Sequence, residues 1–380
     1  AAELGTMKVT EQIDALVTLS TDPVRWLVTP RLWAAILCMP VLVATGDIIG
    51  IMGGWLVGTT SLGFNSAGYI ANSWAYLEPW DVTSGLIKGA VFGLVVALSG
   101  CWFGMRSRRG RRRTGHDQCG RRRRRRHPGC ELCIDRAVLR MIRTCGLSKS
   151  FGAKRVLDSV DLTVATGESL CVIGQSGTGK SVLLKCILGL ERPDAGQVLW
   201  NGQPLDRARF MARFGMLFQG AALFDSLSVW QNVAFRLRQR MDDRRARAIA
   251  LDKLARVGLA SDIADLMPAQ LSGGMAKRVG LARAIADDPA VIFFDEPTTG
   301  LVPIRARAID ALIRGIVTET GATAITITHD MASCRIIGDR VALVADGRIA
   351  HDGPVADMDR APALAGFLGI PSAGVGDHAR

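Results

Sequence analysis

Gly174-Gln175-Ser176-Gly177-Thr178-Gly179-Lys180-Ser181 decides the fold class of this chain. The octet fills the fixed positions of a phosphate-binding loop, with strand-like Ser169–Ile173 before it and a helical pattern over Val182–Leu190 after it. Glycines let backbone N–H groups face phosphate oxygens, and the helix that follows adds the positive end of its dipole. In such a loop Lys180 neutralises β- and γ-phosphate charge and the Ser181 hydroxyl holds Mg²⁺. Glycine loops match by chance often enough that a second signal is needed.

That signal lies about a hundred residues on. Val291-Ile292-Phe293-Phe294 is apolar throughout, as a strand buried on both faces of a parallel sheet must be, and it ends in Asp295-Glu296. Asp295 at the strand's carboxyl end reaches Mg²⁺ through water, and Glu296 polarises the attacking water. A strand ending in two surface carboxylates is common, but paired with the phosphate loop it points to nucleotide hydrolysis. Short β-rich runs alternate with helical patterns from about Val138 onward, the α/β signature.

Between the two motifs stands Leu271-Ser272-Gly273-Gly274-Met275, and here the sequence resembles the ATP-binding cassette proteins. The resemblance covers about Met141 to Ile349. It implies a P-loop NTPase with a RecA-like core, an antiparallel β subdomain and a helical signature subdomain. It further implies that Ser272, Gly273 and Gly274 meet the γ-phosphate of the opposite subunit, so that two cassettes pair head to tail around ATP and Mg²⁺. By the same resemblance Gln219 is the Q-loop ligand of the metal, His329 the switch histidine and Phe151 the aromatic that stacks on adenine. One departure stands out. The family reads Gly-Leu-Asp-Pro after the second carboxylate, whereas this chain reads Gly300-Leu301-Val302-Pro303.

The formal charge of +12 suggests nucleic acid until it is located. Arg106–Arg126 holds twelve arginines and one aspartate, so all but about one unit of the excess belongs to that segment. No aromatic is interleaved with the arginines, which argues against nucleic-acid binding. The nine cysteines are odd in number and several sit in apolar runs, which fits buried thiols in a reducing compartment.

Residues 1–105 are apolar and rich in Gly and Trp, with runs over Leu32–Val57 and Leu86–Met105. Each reaches the ~20 residues that a helix needs to cross a bilayer core. Glu3–Leu16, Asp22-Pro23, Pro30-Arg31 and Gly53-Gly54-Trp55 resemble the later part of an MlaE-like permease. Leu217–Phe224 and Leu266–Met275 resemble the ATPases of the same Mla/Mce-type lipid transporters. The expected organisation is a partial permease over 1–105, an Arg-rich linker over 106–136, the ATPase over 137–370 and a disordered tail over 371–380. The resemblance implies a second ATPase subunit, an intact permease, a periplasmic MCE-type protein and a lipid substrate as partners. It places the chain in the bacterial inner membrane with the ATPase on the cytoplasmic face.

Permease and ATPase are separate proteins in that family, so the Arg segment calls for an account. A reading frame shifted through a GC-rich, Ala-rich helix turns paired Ala codons into paired Arg codons and makes the whole chain a frame-disrupted remnant. The segment also reads as a solvated linker, or as a basic stretch lying on anionic lipid. Cys119, His127, Cys130 and Cys133 lack the paired spacing of an ordinary zinc site. A cassette serving a different substrate is the remaining alternative.

Overall fold

The computed structural model describes residues 2–19, 21–106, 140–175, 177–361 and 364. The Arg-rich linker, the candidate thiols and imidazole within it, the C-terminal tail and Ser176 lie outside the described residues. Chain contacts divide the molecule into two compact units, one of Ala1–Val17 with Thr21–Arg111 and one of Thr18–Ser20 with Arg112–Arg380.

The first unit is helical: α1 (Ala2–Val9), α2 (Gln12–Thr18), α3 (Thr29–Thr60), α4 (Ser66–Tyr76) and α5 (Pro79–Arg106). A π-helical turn over Val24–Val28 leads into α3, making a continuous apolar helix of 37 residues, against 28 for α5. Both therefore run beyond the limits that their apolar runs suggest. The helix α4, capped at Asn65 whose side chain accepts from Ala67 N at 3.1 Å, was not anticipated from the sequence. It lacks a long apolar run, and Trp55 of α3 donates to Ser66 Oγ at its start at 3.1 Å.

The two long helices meet along glycines. A Cβ on Gly93 would stand 2.7 Å from Ala35 O, and one on Gly89 would stand 3.0 Å from Val43 and 3.4 Å from Pro40 Cα. Such small-residue spacing lets backbones approach, the usual basis of helix pairing in lipid. The opposite faces are exposed and apolar, with Leu37, Val41, Ile48, Ile49 and Met52 on α3 and Val91, Phe92, Val95 and Phe103 on α5. Surface of that kind suits hydrocarbon and not water.

Among its described residues the second unit holds ten strands: β1 (Arg140–Phe151), β2 (Lys154–Ala165), β3 (Ser169–Ile173), β4 (Ala195–Trp200), β5 (Gln203–Pro204), β6 (Phe214–Leu217), β7 (Val291–Asp295), β8 (Thr323–Ile327), β9 (Arg340–Ala345) and β10 (Arg348–Pro354). Its helices are α6 (Lys180–Ile187), α7 (Arg207–Ala212), α8 (Val229–Val233), α9 (Asp243–Arg256), α10 (Gly273–Ala284), α11 (Pro303–Thr320) and α12 (Met331–Ile337). Strands β2-β1-β4-β5 form an antiparallel sheet. The second sheet runs β10-β9-β3-β8-β7-β6, with β9, β3, β8, β7 and β6 parallel and β10 antiparallel at one edge. Its central strands β3 and β8 are buried at every residue, as the apolar runs require.

The core gathers Phe294, Ile292 and Leu217 from the parallel sheet with Ile313, Ile316 and Val317 of α11 and Leu254 and Val279 of the helical region. A RecA-like core, an antiparallel β region and a helical region around α8–α10 are thus all present, as expected.

Candidate nucleotide site

The strand order sets the site. At their carboxyl ends β3, β8, β7 and β6 stand side by side, so the phosphate loop, His329, Asp295-Glu296 and Gln219 follow one another across the sheet. Ligands in open parallel sheets bind at this edge.

The loop after β3 depends on its glycines at two positions. Gly174 has φ 156°, and a Cβ there would meet Val344 O at 2.4 Å. Gly179 has φ 106°, and its Cβ would meet Val156 O at 2.8 Å. Only glycine fits such contacts at positive φ. Lys180, buried at the start of α6, donates to Gly174 O and Gln175 O, each at 2.7 Å. Burial holds its ammonium below the usual lysine range, against the pull of Glu296 and Asp295, which raise it. Thr178 Oγ1 donates to Gln175 O at 2.9 Å, and Ser181 is exposed in the first turn of α6.

Glu296 is the centre of the polar contacts. Its backbone turns left-handed at φ 44°, and its N–H donates to Ile327 O at 2.9 Å, which swings the carboxylate from the end of β7 across the end of β8. A non-glycine residue held in that region stores backbone strain, a recurrent feature of functional sites. Gln219 Nε2 donates to Glu296 Oε2 at 3.1 Å, Thr299 Oγ1 donates to the same oxygen at 2.9 Å, and His329 Nδ1 lies 3.3 Å from Oε1.

The structure therefore gathers Gln219, Asp295, Glu296 and His329 beside Lys180. Phe151 and the signature turn stand elsewhere. Phe151 is half exposed at the β1–β2 turn, with the Lys149 ammonium 5.3 Å from its ring centroid. Ser272 caps α10, accepting from Met275 N at 3.3 Å, and open space surrounds Gly273 and Gly274. The sequence reading missed Thr299 and Lys277, a buried lysine of α10 that donates to Gln219 O. Thr299 was findable as the hydroxyl three residues after Glu296, but nothing local marks Lys277.

A bacterial ABC transporter cassette solved as a dimer is 30% identical to this chain, with a TM-score of 0.52, and covers 57% of this chain and 99% of its own. The chain belongs to the ABC transporter family. The family model "ABC transporter" matches residues 157–299, and the model "Permease MlaE" matches residues 1–118. A further solved ATP-binding cassette, a dimer in a post-hydrolysis state with ADP and phosphate, is 29% identical with a TM-score of 0.52.

Among curated relatives of the cassette, a probable ribonucleotide transport ATP-binding protein of Mycobacterium tuberculosis is 39% identical over 217 residues. That match covers 55% of this chain and 60% of the relative. A methionine import ATP-binding protein of Mesorhizobium japonicum is 42% identical over 224 residues, covering 57% and 60%. The chain thus spans about 60% of the length of these relatives. In this cassette the residues fit a magnesium nucleotide. Ser181, Gln219 and Asp295 bring a hydroxyl, an amide and a carboxylate, oxygen donors of the kind a hard cation selects.

Proposed function

We propose that the cassette binds and hydrolyses ATP as half of a head-to-tail dimer and powers lipid movement through an MlaE-type permease. The hydrolytic half of this reading is supported chiefly by the Glu296 carboxylate, which Gln219, Thr299 and His329 orient beside Lys180. Glu296 takes the proton of the attacking water, and His329, facing its other oxygen, keeps the carboxylate aimed. Lys180 and the N–H groups of Gly174–Ser181 balance phosphate charge, and Phe151 stacks on adenine. Ser181, Gln219 and Asp295 would hold Mg²⁺, which would supply further neutralisation of phosphate charge. Ser272 and Gly273, both exposed, and Gly274, half-buried, stand at the N-terminus of α10 and offer N–H donors to the γ-phosphate held by the other cassette.

The lipid half is supported by the permease match over residues 1–118 and by two apolar helices whose outer faces suit hydrocarbon. The relatives' names range over ribonucleotide, methionine and sulfate, so the cassette does not select the cargo. On this reading 1–105 is permease, 106–136 a connecting segment and 137–370 the ATPase on the cytoplasmic face of a bacterial inner membrane. An intact permease and a periplasmic MCE-type protein complete the assembly.

ATPase assays on the full chain in lipid nanodiscs test both halves. MgATP turnover should fall at least ~10²-fold in Glu296→Gln, the scale of general-base loss. Unchanged turnover would remove Glu296 from this role. Co-reconstituted with an MlaE-type permease, the chain should respond to phospholipid composition and not to ribonucleotide, methionine or sulfate; the reverse response would move the cargo to another class.

A further inference from the structure

The signature turn and the hydrolytic carboxylate lie on different parts of the cassette, yet one helix touches both. Helix α10 begins at the Ser272 cap and then runs beneath the loop that follows β6. It grips that loop at three successive points. Lys277 Nζ donates to Gln219 O and, at 3.4 Å, to Glu296 O. At Gly280 the approach is so close that a Cβ would meet Leu217 Cδ1 at 2.8 Å and the Ala221 Cβ at 3.2 Å. One turn further, Arg283 donates to Ala222 O at 2.8 Å and to Ala221 O at 2.7 Å.

Neither cation makes these contacts by default. Lys277 and Arg283 are 6% and 5% exposed, and burial pushes the Arg283 guanidinium down to about 10. Buried charge is costly unless its hydrogen bonds are met, so these carbonyls are where the side chains must go. The loop is strained in return. Ala221 and Ala222 sit at φ 61° and 46°, two consecutive left-handed alanines. Alanine seldom adopts that conformation, and the pair persists only where the surroundings hold it.

We propose that Lys277 is a positioning residue through which the helix begun by the signature turn sets the backbones of Gln219 and Glu296. The proposal rests on the hydrolysis reading above. Lys277 touches no reacting atom. Its ammonium ties one carbonyl from the end of β6 to one from the end of β7, so a shift of α10 moves both residues together. Engagement of Ser272–Gly274 by the opposite nucleotide is thereby relayed to the chain's own Gln219–Glu296 pair.

The test uses the full chain in nanodiscs, with Lys277→Met, Lys277→Arg, Ser272→Ala and the Ser272→Ala/Lys277→Met double variant. Three readouts are needed: Kd for a fluorescent ATP analogue, kcat and melting temperature. In Lys277→Met, kcat should drop at least about tenfold while Kd stays within about threefold, the pattern of lost transition-state alignment. Lys277→Arg, which keeps donors for the two carbonyls, should recover part of kcat. Ser272→Ala should cost less in the Lys277→Met background than in wild type, as coupled positions do. Unchanged kcat in Lys277→Met overturns the proposal. So do strictly multiplicative effects in the double variant, or a loss of Kd and melting temperature alongside kcat, which would make Lys277 a packing residue only. A wild-type chain without turnover overturns the hydrolysis reading and this one with it.

Discussion

At the scale of single residues, the departure at Val302 is the sharpest feature of the cassette. Val302 is the N-cap of α11, with β-region dihedrals (φ −66°, ψ 150°), Pro303 following it and no side-chain cap bond. Everything about the position suits a capping side chain except the side chain itself, which is 61% exposed. Val302→Asp should therefore stabilise the cassette by about 1 kcal/mol through the cap alone. It should also raise ATPase activity or its cooperativity, by returning an acceptor where the family uses one. Melting temperature and steady-state ATPase assays separate the two effects. Equal rates and Hill coefficients in both forms would sink the second.

Elements are held to one another by contacts that carry their own predictions. Helices α11 and α12 meet at Asp310, which is fully buried. Its Oδ2 accepts from Ser333 Oγ at 2.8 Å and its Oδ1 has no partner among the described residues. Ser333 also reaches Asp330 at 3.1 Å and Thr298 at 3.3 Å, while Arg307 lies 3.5 Å from Asp310 and the Cys171 thiol feels its charge. Burial raises the Asp310 carboxyl above its usual range, against Ser333 and Arg307, which lower it. The native state thus holds this proton more tightly than the unfolded chain, so its contribution to stability falls as pH rises from the ordinary carboxylate range through the raised value. Asp310→Asn does not titrate. The stability of that variant relative to wild type should grow as pH rises across the window and then level off, as melts over a pH series would show. A pH-independent difference would contradict it.

In the first unit the α3–α5 contact makes a parallel case. Gly93→Leu forces a side chain into Ala35 O and Met39 and should cost about 1–3 kcal/mol, the range of overpacking. Gly50→Leu, which meets open space, should be neutral by the same thermal melt.

For the whole molecule the two units pose different solvent problems. The cassette buries Phe293, Phe294 and Leu170 completely, whereas α3 leaves Trp33, Leu37 and Ile49 mostly exposed. Water would not tolerate that second surface over helices of 37 and 28 residues, but a bilayer core of ~30 Å would. Asp47 is ionisable within α3, and its Oδ2 lies 3.9 Å from the place of a Cβ on Gly85, so its carboxylate turns towards α5. The chain should accordingly remain in the membrane pellet after an alkaline carbonate wash. Release of the full-length chain into the supernatant would refute the membrane reading of residues 24–106.

How much of this was legible beforehand follows from the range of each interaction. The phosphate loop, the apolar strand ending in Asp295-Glu296 and the helix opened by Ser272 are local patterns, and each lies on the element that its sequence implies. Strand order is another matter. Chain order runs β3, β6, β7, β8, whereas spatial order runs β3, β8, β7, β6, and only that permutation sets His329 between the phosphate loop and Glu296. The grip of Lys277 on Gln219 spans 58 residues and the Asp310–Ser333 pair spans 23, with no period or spacing to announce either. Local sequence determined which groups the site would contain, because backbone propensity, glycine geometry and burial act over a few residues. Tertiary structure alone decided which groups touch, because sheet order and helix packing are settled by the burial of the whole core.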